Sequence, residues 1–137
     1  MHLTSLYILR LEVIYIYLLV LVLNKEEYLE KILERFLAVG ISGATIIDSA
    51  GMGRTLMCSD IPIFGGLSRM FDNCHPSNKT IFSVIRTDET LKDATKAVEE
   101  IIDIDDPGVG ILFTIPLHST LGIPKNSKTQ NNQGDDL

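Results

Sequence analysis

Cysteine and positive charge are both scarce in this chain. Its 137 residues hold 12 Lys and Arg against 18 Asp and Glu, for a formal net charge of -6. A nucleic-acid surface needs clustered Lys and Arg to neutralise phosphates; no basic stripe exists here, so nucleic acid is excluded as a partner. Two cysteines, Cys58 and Cys74, are too few for the disulfide framework of a small exported domain, and a cytoplasmic location is expected. Zinc wants three or four Cys or His ligands. His75 adjoins Cys74, but His2 and His118 lie far along the chain, so Cys58 and Cys74 are read as loop thiols, with a metal site or a redox disulfide as alternatives. Gly-x-Ser-x-Gly is absent and no Ser–His pair sits in a catalytic motif, so enzymatic activity is not expected.

A long uninterrupted hydrophobic run is also lacking. "LYILRLEVIYIYLLVLVL" (6–23) contains Arg10 and Glu12, and the uncharged stretch from Val13 to Leu23 is eleven residues. A spanning helix needs about 20 apolar residues, and the run ends in Asn24-Lys25-Glu26-Glu27 rather than at a small-residue cleavage site. Neither a membrane span nor a signal peptide is expected. The β-branched and aromatic residues favour a buried strand over about residues 15–23. Residues 1–14 then form an N-terminal extension with no assigned role.

What is present is a globular pattern, 45% hydrophobic and 22% charged. Asn24 with Glu27 reads as a capping box. Leu29, Ile32, Leu33, Phe36 and Leu37 follow on one helical face, opposite Glu26, Glu30, Lys31, Glu34 and Arg35. Gly40 is placed to end that helix. "GATIIDS" (43–49) reads as a strand, and 55–78 as a long loop with no clean period. "TIFSVIR" (80–86) is a third strand. Thr87 or Asp88 caps a second helix whose apolar face is Leu91, Ala94, Val98, Ile101 and Ile102. "IDIDDPGVG" breaks that helix and "ILFTIPL" (111–117) is the fourth strand. From Pro124 on, no apolar residue precedes Leu137, so 125–137 is expected to be a disordered tail.

The order βαβ, long loop, βαβ predicts an α+β, ferredoxin-like domain over residues 15–124: a four-stranded antiparallel sheet with two helices on one face. "IYLLVLVL" and "ILFTIPL" do not alternate between apolar and polar. Both sheet faces are therefore apolar, and the second must be covered. Another copy of the chain is the expected cover, because large exposed apolar patches are rare in monomers.

Two short segments stand out. Gly51-Met52-Gly53-Arg54-Thr55 combines glycines, which let backbone N–H groups approach an anion, with a guanidinium that can grip one in a bidentate fork. Pro107-Gly108-Val109-Gly110 follows Asp103, Asp105 and Asp106. Those three carboxylates could hold a hard cation, or be a solvated helix end that opposes the helix dipole.

Strand-helix-strand ending in "GMGR", a long excursion, then strand-helix and "PGVGILFTIPL" resembles the PII (nitrogen regulatory protein P-II) signal-transduction family and its PII-like relatives, over about residues 15–123. The resemblance implies a homotrimer of ferredoxin-like subunits. It makes 55–78 the T-loop, which in the family contacts a regulated protein, in some members within nitrogen metabolism. It also implies a small anionic effector, typically an adenine nucleotide, in clefts between subunits, with Gly51, Met52, Gly53, Arg54, Thr55, Pro107, Gly108, Val109 and Gly110 as the ligand-binding residues. The chain departs from that pattern in three ways. The loop before the last strand carries three Asp where signalling members carry Lys and Arg. Thr55 stands where 2-oxoglutarate-sensing members have glutamine. No Tyr occurs in 55–78, where some members are uridylylated. Two alternatives accompany this reading: a divalent-cation-tolerance (CutA-type) trimer using Asp103, Asp105 and Asp106 or the Cys/His loop residues, and an oligomer that is structural only.

Overall fold

The computed structural model describes residues 15–59 and 77–123. The N-terminal extension, most of the predicted T-loop and the expected tail lie outside the described residues.

Strand β1 (Ile16–Leu23) opens the domain. A 3-10 turn (Glu26–Tyr28) follows and runs directly into helix α1 (Leu29–Ala38). The expected capping box is not formed, because no side chain caps either element. The Asn24 amide is engaged elsewhere, with Gly108 and Asn78. Ile32 and Phe36 are buried as the helical period requires. Leu37, expected on the same face, is instead 66% exposed; it sits at the edge of the stripe, one position past Phe36. The predicted stop is present in full. Gly40 has φ +98°, its N–H donates to Leu37 O and the Ile41 N–H donates to Phe36 O. This pair of bonds is the Schellman arrangement that glycine favours at C′, and Ile41 and Phe36 share the hydrophobic core.

Strand β2 (Thr45–Ala50) leads into a short helix α2 (Met52–Met57). After the residues not described, β3 (Ser77–Ile85) is followed by α3 (Asp88–Ile101) and β4 (Gly110–Leu117). Of the two proposed caps for α3, Thr87 is the one used: its Oγ1 accepts from the Thr90 N–H at 3.1 Å. Helix α2 is a departure from the turn read at Gly51–Arg54 and from the loop expected over 55–78, since Met52–Met57 are helical, and Ser77 and Asn78, expected in that loop, belong to β3.

The sheet is antiparallel throughout, in the order β2-β3-β1-β4. It is the predicted ferredoxin-like arrangement. Leu19, Leu21 and Leu23 of β1, with Ile81 and Ile85 of β3, form one core with Ile32 and Phe36 of α1 and Ala94 and Val98 of α3. Both long helices therefore lie on one face. An Arg35–Glu100 ion pair at 2.7 Å links them at the surface.

Alternate residues point to the other face: Leu18, Val20 and Val22 of β1, Phe82 and Val84 of β3, and Ile111, Phe113 and Ile115 of β4, aligned by the cross-strand register. Nothing in the chain's described residues covers this face at β4, where Ile111 is 56% exposed. No helix among the described residues is long and apolar enough to cross a membrane.

The contrast between neighbouring α1 positions is measurable by urea unfolding. Phe36→Ala is expected to lower the unfolding free energy by about 3–5 kcal/mol, the usual cost of emptying a buried aromatic site. Leu37→Ala should change it by no more than about 0.5 kcal/mol. Similar losses for both would place Leu37 in the core after all.

Candidate functional site

The two segments singled out by sequence arrive at the same end of the sheet. Strand β2 runs up to Gly51 and β4 begins at Gly110, beside the C-terminal end of β1, where Leu23 pairs with Gly110. Between them lies a row of polar residues on the open face. Ser49 pairs with Asn78 across β2 and β3. Asn24 lies one step beyond the Leu23–Lys79 pair of β1 and β3.

These residues are hydrogen-bonded one to the next. Ser49 Oγ donates to Asn78 Oδ1 and lies 2.6 Å from Thr80 Oγ1. Asn78 Nδ2 donates to Asn24 Oδ1 at 3.0 Å. Asn24 Nδ2 donates to Gly108 O at 3.0 Å, and the Asn24 backbone N–H to Val109 O at 3.0 Å. Asn78 is 3% exposed, and a polar side chain so buried needs its partners. No buried side-chain nitrogen or oxygen among the described residues lacks one.

At the first segment, Gly51 is extended (φ -81°, ψ 143°) and starts α2. Neither Gly51 nor Gly53 has a positive φ, so no backbone conformation demands glycine at either position. What glycine leaves is room: nothing lies within 4 Å of a Cβ added at Gly53, and one added at Gly51 would touch only Asn78 Nδ2, at 3.5 Å. Met52 is 80% exposed. Arg54 is exposed and has no carboxylate partner among the described residues. Thr55 closes the helix on itself, its N–H and Oγ1 both donating to Gly51 O, at 2.9 and 2.7 Å.

In the second segment, Asp106 N–H donates to Asp103 O and Val109 N–H to Asp106 O, making two successive turns. Gly108 has φ +80°, the left-handed region where side-chain-bearing residues are strained. Val109 is buried in the core with both backbone groups engaged, so it anchors the loop rather than offering it a donor. Gly110 is packed hard: an added Cβ would lie 2.3 Å from Val22 O.

Around the two segments the charge is mostly negative. Asp103, Asp105 and Asp106 are exposed, and among the described residues no three His, Cys, Asp or Glu converge as metal ligands would. All three face solvent at this helix end. Lys79 is tied to Asp48, and that hydrogen bond is the main cause that raises its pKa, against a smaller opposing effect of desolvation. Cys58 is disulfide-bonded and not the free loop thiol expected; Cys74 and His75 lie outside the described residues.

Open clefts border the described residues. One of about 740 Å³ lies at the opposite end of the sheet, by Gly43, Thr45, Ser83, Thr87 and Ile123. A smaller one of about 240 Å³ runs along the edge of β4, by Glu99, Asp105, Gly110 and Ile111. Gly51–Thr55 lines neither. The polar row itself could not have been found by periodicity, because its members are joined across strands and only the register brings them together.

No family model matches the sequence, and no curated protein matches it either. Solved structures do. The chain is similar to the GlnK–ATP complex of Bacillus subtilis, with 13% identity over 78% of this chain and 88% of that one, at a TM-score of 0.54. GlnK of the same organism in a second structure matches at 11% identity, 78% and 89% coverage and a TM-score of 0.51. A protein of Thermus thermophilus described as PII-like and signalling matches at 14% identity, 76% and 88% coverage and a TM-score of 0.50. At these identities the likeness establishes the fold, which is that of the PII proteins.

Three glycine variants separate conformation from space. Gly110→Ala should destabilise by about 1–3 kcal/mol, as overpacking does, because the obstacle is the backbone of β1. Gly108→Ala should cost about 1–2 kcal/mol through its positive φ alone. Gly53→Ala, in open space on a helix, should stabilise by about 0.5–1 kcal/mol. Denaturant titration of the three checks the order; a destabilising Gly53→Ala would mean that α2 is not helical in solution.

Proposed function

We propose that this chain is a PII-like regulatory protein, not an enzyme. It acts as a cytoplasmic homotrimer that binds a small anionic metabolite, an adenine nucleotide, and signals through residues 55–78 to a protein partner. The observation that carries the reading is the placement of Gly51–Thr55 and Pro107–Gly110 at the same end of a PII-fold sheet, on its two outer edges. The B. subtilis neighbour was solved with ATP, which favours a nucleotide as the anion.

The apolar open face supports the trimer. Ile111, Phe113 and Ile115 leave a contiguous exposed strip on β4, and burying such a strip against a second copy removes it from water at roughly 25 cal/mol per Å². Gly51–Thr55 lies open to solvent on a single chain, which fits a site completed by a neighbouring subunit. In this reading Arg54 meets the phosphates. Val109 and Gly110 hold the second loop in place, while Pro107 and Gly108 present its backbone. With Asp103, Asp105 and Asp106 beside it, the loop repels a polyphosphate on its own, so the affinity leans on Arg54. The cation-binding alternative has no converging ligand set among the described residues to support it.

Two measurements test the proposal. Light scattering at micromolar concentration should give a mass near three chains; a monomer overturns the assembly. Calorimetry with ATP should show binding, and Arg54→Ala should weaken it by about 1.5–3 kcal/mol, the worth of a hydrogen bond to a charged group, with stability changed by no more than about 0.5 kcal/mol. Undiminished affinity in the variant would make Arg54 a solvated surface residue. A response to divalent metals with none to nucleotides would favour the cation reading.

A further inference from the structure

A single line of hydrogen bonds runs from the strand end just before Gly51 to the second of the two loops given to the ligand above. It runs from Ser49 at the end of β2, through Asn78 on β3, to Asn24 at the end of β1, and finishes on the carbonyl of Gly108. Every link has only one possible direction. The Gly108 carbonyl can only accept, so Asn24 presents its NH₂ to it. That turns Asn24 Oδ1 toward Asn78, which must answer with its own NH₂. Asn78 Oδ1 is left facing Ser49, whose single proton goes there, and Thr80 Oγ1 then donates to Ser49 Oγ. All the donors in the line point the same way.

A line of this kind is worth more than its separate links. Each bond polarises the next, and at buried Asn78 a broken link leaves a donor or acceptor with no replacement from water. Asn78, 3% exposed, is the member bonded on both sides: its Oδ1 accepts from Ser49, two residues before Gly51, and its NH₂ donates to Asn24.

We propose that Asn78 is a coupling residue, the positioning side chain through which Gly51–Thr55 and Pro107–Gly110 hold each other's conformation. Given the ligand-binding reading above, a ligand that engages either loop then sets the other, and so sets the root of the 55–78 segment.

Hydrogen–deuterium exchange on the full chain tests this without any ligand. Ser49→Ala removes the first proton of the line and touches nothing in the second loop. It should nonetheless speed exchange of the 106–110 amides about fivefold, the equivalent of one lost net hydrogen bond, while α1 amides stay at wild-type rates. In an Asn78→Leu background the same change should have no further effect on 106–110. Wild-type rates at 106–110 in Ser49→Ala overturn the proposal, as does an equal rise in α1, which would mean a weakened fold rather than a transmitted effect. Should Asn78→Leu fail to fold, the Ser49→Ala result decides alone. With ATP added as the probe, wild type should gain protection in both 51–58 and 106–110, and Ser49→Ala in one of them only; protection of both in the variant counts against the coupling. If ATP protects neither loop in wild type, the nucleotide reading fails, and the ligand-free exchange still decides the relay.

Discussion

Strand β1 hydrogen-bonds along its length to β3 on one side and to β4 on the other, and its middle is buried on both faces. Leu19, Leu21 and Leu23 point into the helix-covered core with no exposure, and Val20 is almost as buried on the opposite face. A strand in this position cannot be shifted without uncovering apolar surface somewhere. The helices pack where β1 and β3 present their leucines and isoleucines. The far face keeps a continuous apolar strip for the same reason. The ends of β1 also decide where the connecting loops meet, since Asn24 is simply the next residue after its last paired leucine.

Much of this was legible in the chain, for reasons that differ by element. Helix α1 announces itself because apolar residues recur on one stripe and a glycine stands at C′. Its far end behaves as that pattern implies; its near end does not. Asn24 looks like a cap when only its neighbours in sequence are considered, but the register of β1 against β3 and β4 gives its amide two distant partners, Asn78 and Gly108. Leu37 is a boundary case, apolar by type yet just outside the buried stripe. The four strands were legible as hydrophobic runs, and the lack of alternation in β1 and β4 correctly placed apolar side chains on both faces.

The candidate site was legible as two segments and illegible as a geometry. Glycines in Gly51–Arg54 suggest a special turn, whereas the chain forms a short helix there and needs no positive φ. Glycine matters instead at Gly108, for its φ, and at Gly110, for its closeness to Val22. Val109, apolar and between glycines, offers no sign in sequence that it belongs to the core. The polar row lies beyond any local pattern: Ser49, Asn78 and Asn24 stand far apart along the chain, and each alone reads as an ordinary strand-end polar residue.

That row also answers a problem created by the apolar sheet. Alternation of polar and apolar residues normally fixes which residue faces which, because a slip would turn the wrong face to water. Strands greasy on both sides have surrendered that information; β1 displaced along β3 would still set leucine against isoleucine. A displaced pairing would, however, strand the buried amide of Asn78 without its partners, at about 1–3 kcal/mol for each unsatisfied group. The polar row therefore works as an alignment key at the end of the sheet, contributing less by its own strength than by making every misaligned alternative worse.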